Sequence, residues 1–289
     1  LAIPAKIAGC KEIVLCTPPD ENGNVNPAIL YAASSVGCTK IFKLGGIQAI
    51  GAMTYGSESV PSVYKIFGPG NQYVTAAKQL ASLDGIAIDM PAGPSEVLAY
   101  ADETGNAEFI AADLLSQAEH GADSQVIFVT CVEPLIEQVK SAVIKQLIDL
   151  PRKEIAIKAL DNSVLILLNN EKEALDLINQ YGPEHLIIGA KDEDFFSEGI
   201  TNAGSVFLGN YTPESAGDYA SGTNHTLPTN GYAKSYSGVS LDSYTKKITY
   251  QKISKEGLKS LGPVIEIMAE AEELFAHKNA VTLRLKELN

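Results

Sequence analysis

The chain has 289 residues, 45% of them hydrophobic, which is enough for a substantial core and for one or two domains. Its net charge of −13 argues against a general nucleic-acid or anionic-membrane binder. No apolar run approaches the roughly 18–20 residues that cross a bilayer, and the start does not read as a basic, apolar, small-residue leader.

In chain order, the opening LAIPAKIAGC carries no methionine and is already apolar, which reads as a chain that begins inside a fold. Glu12 to Cys16 reads as a short buried strand, followed by a turn at Pro18-Pro19. Asn26 to Gly37 has helical spacing, with Pro27 suited to the first turn and Gly37 to the stop. Lys40 to Leu44 predicts a strand, Gln48 to Tyr55 a helix, Val63 to Phe67 a strand, and Val74 to Leu83 a helix after GPGNQY. Strand, glycine turn and helix in repetition are the mark of a parallel α/β sheet. The Gly68-Pro69-Gly70 turn reads equally as a phosphate cradle or as a plain strand-to-helix turn, because the third glycine and the ribose-reading acid of a dinucleotide fingerprint are missing.

The prolines and glycine of Asp89 to Val97 predict a junction, after which a second set of alternations begins. Ser95 to Tyr100, Gln125 to Thr130, Ser163 to Leu168 and His185 to Gly189 read as strands; Ala107 to Ala118, Glu133 to Ile148 and Glu171 to Tyr181 read as helices. Ser237 to Ile253 alternates like short β-structure, and Gly257 to Leu288 reads as helix interrupted at Gly262-Pro263. The four cysteines, Cys10, Cys16, Cys38 and Cys131, show no CxxC spacing and are expected reduced and mostly buried, as in a cytoplasmic protein.

The stretch that organises the rest is Gly209 to Tyr232, 24 residues almost without aliphatic side chains. Loops of this length inside compact domains are functional or disordered. Tyr211, Tyr219 and Tyr232 argue against a solvated tail, so the loop reads as one wall of an active site.

Only four histidines occur: His120, His185, His225 and His277. Gln117 and His120, three apart near a predicted helix end, share a face suited to one metal, or else His120 answers the helix dipole. Glu184 and His185 follow Gly182-Pro183 at the edge of a buried strand, and read as an acid–base pair or as a solvated turn. Asp218 offers a hard oxygen ligand, whereas the spacing alone places His277 on the surface. Gln117, His120, Asp218 and His277 together make a thiolate-free N/O set that suits a catalytic zinc better than a closed structural one. Residue chemistry thus carries the reading to a metal-assisted enzyme on an α/β scaffold.

At these residues the chain resembles the histidinol dehydrogenase family. The matching stretches run its whole length: KIFKLGGIQAIGA, KIFGPGNQYVTAAK, DGIAIDMPAGPSEV, LLSQAEHGADSQ, YGPEHL, TPESAGDYASGTNH and AHKNAVTLRL. The resemblance implies an NAD-linked, four-electron oxidation of L-histidinol through bound L-histidinaldehyde to L-histidine, the last step of histidine biosynthesis. It implies one zinc per subunit held by Gln117, His120, Asp218 and His277, with Glu184 and His185 as the acid–base residues. Ser95, His225 and Glu272 join these ligands and His185 as substrate contacts, and Gln48 and Asn71 contact NAD. It further implies a cytoplasmic homodimer whose site takes Glu272 and His277 from the other subunit, with no role for nucleic acid or membrane. Family members carry an additional N-terminal segment, including a tyrosine that contacts NAD, and Leu1 corresponds to a point inside their nucleotide-binding domain. The alternatives are a zinc hydrolase or deaminase working without nicotinamide, and a ligand-binding fragment without turnover. The expected fold class is α/β, with two Rossmann-like parallel-sheet domains, both incomplete at the N-terminal side, and a small helical C-terminal tail. The expected boundaries are 1–94 for the nucleotide-binding domain, 95–236 for the zinc and catalytic domain, and 237–289 for the tail.

Overall fold

A computed structural model describes residues 1–288. The first eight elements are α1 (Ala2–Ile7), β1 (Val14–Cys16), α2 (Pro27–Val36), β2 (Lys40–Phe42), α3 (Gly46–Tyr55), β3 (Lys65–Ile66), α4 (Gln72–Leu83) and β4 (Ala87–Ile88). They form two parallel strand pairs, β1–β2 and β3–β4. Helix α2 begins and ends as its sequence predicts: the Asn26 side chain accepts from the Ala28 N–H, Pro27 occupies the first turn, and Gly37 closes the helix at φ 89°.

The larger part follows: β5 (Glu96–Ala101), α5 (Ala107–Ala118), β6 (Gln125–Thr130), α6 (Glu133–Leu147), α7 (Lys153–Leu160), β7 (Val164–Leu167), α8 (Glu171–Tyr181), β8 (His185–Gly189), α9 (Glu193–Gly199), β9 (Ser205–Leu208) and α10 (Glu214–Tyr219). Its five strands are all parallel in the order β7-β6-β5-β8-β9, so the chain winds outward from β5 in one direction and then in the other. Every residue of β5 is buried, as a central strand covered on both faces must be. The period of two sorts its side chains: Val97, Ala99 and Ala101 pack with α5, α6 and α7, whereas Leu98 and Tyr100 pack with Ala174 and Ile178 of α8 and Phe196 of α9.

Two compact units divide the chain, Leu1–Thr245 and the residues from Lys246 onward. The second unit contains α11 (Lys255–Ala271) and α12 (Phe275–Leu288). No helix among the described residues is long and apolar enough to cross a membrane.

Several local expectations need correction. Between Ser237 and Ile253 the chain makes a 3₁₀ turn at Leu241–Tyr244 and no strand; Phe67 stacks on Tyr244, so the aromatic in that alternation serves packing rather than a sheet. Helix α11 runs through Gly262-Pro263 and the break falls after Ala271. A Cβ at Gly262 would come within 2.8 Å of Leu285, so this glycine permits the close approach of α12 instead of ending a helix. Helices α7 and α9, unassigned from sequence, carry the apolar anchors Ala156, Ala159 and Phe196. The cysteines are free but not mostly buried: Cys10 is exposed and the other three are half-buried.

Candidate active site

The chemistry-bearing residues gather at the amino ends of the five parallel strands. Ser95 and Glu96 open β5, Glu184 and His185 open β8, and Gln117 sits in the last turn of α5, which has returned to that edge. This is the edge opposite the carboxyl ends, where open α/β sheets commonly take their ligands.

His185 is the centre of the cluster. It is 4% exposed, and its Nδ1 lies 3.3 Å from the carbonyl oxygen of Glu96. A carbonyl only accepts, so Nδ1 carries the proton and donates, and Nε2 presents a lone pair. That Nε2 is buried with no hydrogen-bond partner in the chain. Burial lowers the His185 pKa to about 4, opposed by the Glu96 carbonyl and the Asp218 carboxylate, and so keeps the ring neutral. The value near 7 that would suit a base at neutral pH is not what burial leaves, and the Asp218 carboxylate offsets only part of the drop.

Two carboxyls flank the ring. Glu184 Oε2 is 3.7 Å from His185 Nδ1 and Glu214 Oε1 is 3.8 Å from it. Glu184 is 5% exposed, which removes the solvated-turn reading. Burial raises its pKa to about 9, with Glu96 and Glu214 adding repulsion, while the Glu96 N–H and the Ser95 hydroxyl donate to it. Glu214, 2% exposed, is raised by burial to about 8, and its Oε2 has no partner. Asp113, beside Glu214, is raised by burial to about 6. Glu214 and Asp113 were not singled out from sequence. TPESAGDY does place Glu214 four residues before Asp218, on the same helical face, and that spacing was the available signal.

Gln117 is fully buried, yet neither its amide oxygen nor its amide nitrogen has a partner, which normal protein interiors do not tolerate. His120 is exposed just beyond α5, its N–H donating to the Gln117 carbonyl. Asp218 is half-buried on α10, and His225 is exposed. His120, Asp218 and His225 are all close enough to act electrostatically on His185. An orphaned amide oxygen, an imidazole and a carboxylate are donor types that fit a borderline metal ion such as zinc. Among the described residues, no three His, Cys, Asp or Glu side chains form a ready metal cluster. Of the proposed ligands in the first unit, only His120 and Asp218 are of those types, Gln117 being an amide.

The organising loop is part folded and part exposed, and Tyr211 and Tyr219, at 89% and 85% exposed, do not bury it. Its centre folds into α10, Gly217 lies where a Cβ would strike the Phe207 ring at 2.8 Å, and residues 226–229 are buried. It therefore brings Glu214 and Asp218 onto the His185 side of the sheet.

Gln48 and Asn71 lie elsewhere in the first unit, both exposed, in the first turn of α3 and at the cap of α4. These positions follow β2 and β3, at the carboxyl edge of their strands, where a dinucleotide fits. The Asn71 Oδ1 already accepts from the Tyr73 and Val74 N–H groups, and the Gly68 N–H donates to Asp89. The Gly68–Gly70 turn is thus a capped strand-to-helix turn whose Gly68 amide is already engaged. Glu272 and His277 lie in the second unit, both exposed.

The family model for histidinol dehydrogenase matches residues 1–285. Histidinol dehydrogenase from Bacteroides thetaiotaomicron is 66% identical over 288 residues, covering 100% of this chain and 67% of that protein. The enzyme of the same name from Bacteroides fragilis is 67% identical over the same length and share. The crystal structure of histidinol dehydrogenase from Elizabethkingia anophelis superposes with a TM-score of 0.98 at 64% identity, over 100% of this chain and 67% of that one. The chain spans about two thirds of the length of these relatives.

Proposed function

Because this chain belongs to the histidinol dehydrogenase family, we propose that it carries the catalytic centre of a cytoplasmic, zinc-dependent and NAD-linked oxidation of L-histidinol, through bound L-histidinaldehyde, to L-histidine. The observation that carries this reading is the buried, neutral His185 with Nδ1 held by the Glu96 carbonyl and Nε2 open, beside the orphaned amide of Gln117.

Gln117, His120 and Asp218 of this chain would hold zinc, with His277 from a second copy. Zinc would supply orientation of the substrate, and NAD would supply the acceptor for the hydride of each oxidation. His185 Nε2 takes the hydroxyl proton of the alcohol. In its ionised form, which burial makes the minor one at neutral pH, Glu184 takes a proton from the water that adds to the aldehyde carbon, while the His185 imidazolium returns its proton to the aldehyde oxygen. His185 then accepts a proton from the hydrate in the second oxidation. Ser95, His225 and Glu272 contact the substrate, and Gln48 and Asn71 contact NAD.

A homodimer is part of this reading. In the second unit, Leu261, Val264 and Met268 stand 51%, 54% and 60% exposed at spacings of three and four along α11. Such an apolar stripe calls for a covering surface. A second copy of the chain supplies it and exchanges Glu272 and His277.

The test is NADH formation from L-histidinol by the zinc-loaded protein. Two NADH per histidinol are expected, lost on chelation and restored by zinc. Zinc-dependent turnover of histidinol without nicotinamide would point to a hydrolase or deaminase instead, and binding without any turnover to a ligand-binding role.

A further inference from the structure

Glu96 opens β5 at 4% exposure, and no step above uses its side chain. Its main chain already grips the catalytic pair: the Glu96 N–H donates to Glu184 Oε2 at 3.2 Å, and its carbonyl oxygen lies 3.3 Å from His185 Nδ1. The carboxyl adds a further hold. The Glu184 N–H donates to Glu96 Oε1 at 3.2 Å, and the Asn230 N–H donates to the two carboxyl oxygens at 2.9 and 3.0 Å.

The Asn230 bonds follow from the local sequence. Asn230 and Gly231 take φ of 56° and 73°, and the Tyr232 N–H donates to the Thr229 carbonyl at 3.0 Å. Two left-handed residues in succession inside a closed turn are the geometry that Asn-Gly tolerates best. The turn is seated on the junction ahead of β5: the Gly93 N–H donates to the Thr229 hydroxyl, and a Cβ on Gly93 would meet the Asn230 Cβ at 2.8 Å. The Glu96 carboxyl thus fastens the far end of the organising loop to Glu184, the residue just ahead of β8. Each of these bonds comes from an N–H, so the place calls for a side chain with two acceptor oxygens. Glutamine has the same shape but would turn its own N–H₂ towards N–H donors.

We propose that Glu96 is a positioning residue, whose carboxylate latches the Asn230 turn to the main chain of Glu184 and so fixes the place from which Glu184 works. The inference rests on the histidinol-oxidation reading above, in which Glu184 takes a proton from water. In this role Glu96 moves no proton itself and acts only through Glu184. Helix α10, which carries Asp218, is seated separately through Gly217 against Phe207, so the latch governs Glu184 and leaves the zinc ligands in place.

The test compares the zinc-loaded wild type with E96Q and E96D, using L-histidinol and NAD above the Glu96 pKa, which burial raises to about 7 against the N–H donors Asn230, Glu184 and Gly231. E96Q is expected to lower kcat per zinc-loaded subunit by about 10–10²-fold, the scale of a small misplacement of a working group, with KM for histidinol and zinc content unchanged. E96D keeps two acceptor oxygens and is expected to recover most of the lost kcat. A merely structural role predicts otherwise: it lowers the folded fraction but not the rate of folded enzyme. The neutral E96Q also relieves the repulsion that Glu96 exerts on Glu184, so without a latch E96Q should be as fast as wild type or faster. An E96Q kcat within twofold of wild type, or an E96D as slow as E96Q, would overturn the proposal. Amide exchange keeps the test open should E96Q not fold: the Asn230 N–H, on an exposed turn, is expected to exchange slowly in wild type, and exchange at the unprotected rate would sink the latch. That measurement does not depend on turnover, so failure of the latch and failure of the histidinol reading are separately visible.

Discussion

At the scale of single residues, the site is a contest between burial and partners. His185 and Gln117 are both buried with unsatisfied atoms, but they are expected to fail in different ways. His185→Asn removes the proton acceptor and leaves the Gln117, His120 and Asp218 set intact; it is expected to cut histidinol oxidation by about 10²–10⁴-fold while the zinc content, measured by metal analysis, stays stoichiometric. Equal loss of metal and rate would sink the assignment. His120→Ala is expected to do the reverse, losing zinc, and its retention of one zinc per subunit would count against that role. The raised carboxyls also set a pH trend. Glu96, Glu214 and Glu184 have folded pKa values of about 7, 8 and 9 against an ordinary 4.5, so the stability they contribute is complete below about 4.5 and is lost as pH rises through those values. His185, lowered from 6.5 to about 4, works in the opposite sense, contributing stability above 6.5 that is lost as pH falls towards 4. The chelated protein should therefore melt highest near pH 4.5, where the carboxyl contribution is still complete, and lose Tm steadily towards pH 9, with E96Q flattening the part of the fall between about pH 4.5 and 7. The pairing of Glu184 with His185 was legible in the sequence because two polar residues stood out at the edge of an apolar strand. Glu214, Asp113 and Glu96 were not, because a carboxyl in a chain with 35 acidic residues signals nothing until burial is known.

At the scale of elements, the repetition of strand, glycine turn and helix pointed to the parallel sheets, and the capped helix at Asn26–Gly37 followed local rules closely. Errors arose where tertiary packing overrode local pattern. Gly262-Pro263 reads as a stop in isolation, yet the α11–α12 contact at Leu285 explains the glycine and the helix continues past the proline. Gly204 is a comparable case that reaches the site. It lies just ahead of β9, and a Cβ there would come within 2.5 Å of the Glu184 carbonyl oxygen, a backbone atom that cannot rotate away. Gly204→Ala is expected to destabilise by about 1–3 kcal/mol in denaturant unfolding and to lower turnover by displacing Glu184; wild-type stability and rate would show that this close approach is dispensable. The buried pair Lys78–Asp89 ties α4 to the junction after β4, with Asp89 also accepting from the Gly68 N–H. Asp89→Asn leaves the Lys78 charge without its partner, and a loss of about 3–5 kcal/mol is expected, readable as a fall in Tm.

At the scale of the whole molecule, the sequence pointed to histidinol dehydrogenase through stretches spread along its length, and the family match over residues 1–285 bears this out. The placement of the cluster at the amino ends of the five-stranded sheet was not legible, since strand order and direction emerge only from the fold. The proposed exchange between two copies would account for the exposed α11 stripe and the exposed Glu272 and His277. Mixing inactive H185N and H277A proteins should then restore about a quarter of wild-type activity after random reassociation, because half the dimers are mixed and each holds one intact site. No recovery in a mixture shown to exchange subunits would place His277 outside the shared site.

The most direct measurement is calorimetric titration of L-histidinol into the zinc-loaded protein, repeated after chelation. Binding at one site per subunit that disappears with the metal and returns on adding zinc is the predicted result. Equal affinity with and without zinc, or no binding to a folded, zinc-loaded sample, would contradict the assignment of Gln117, His120, Asp218 and His277 as the centre that holds the substrate.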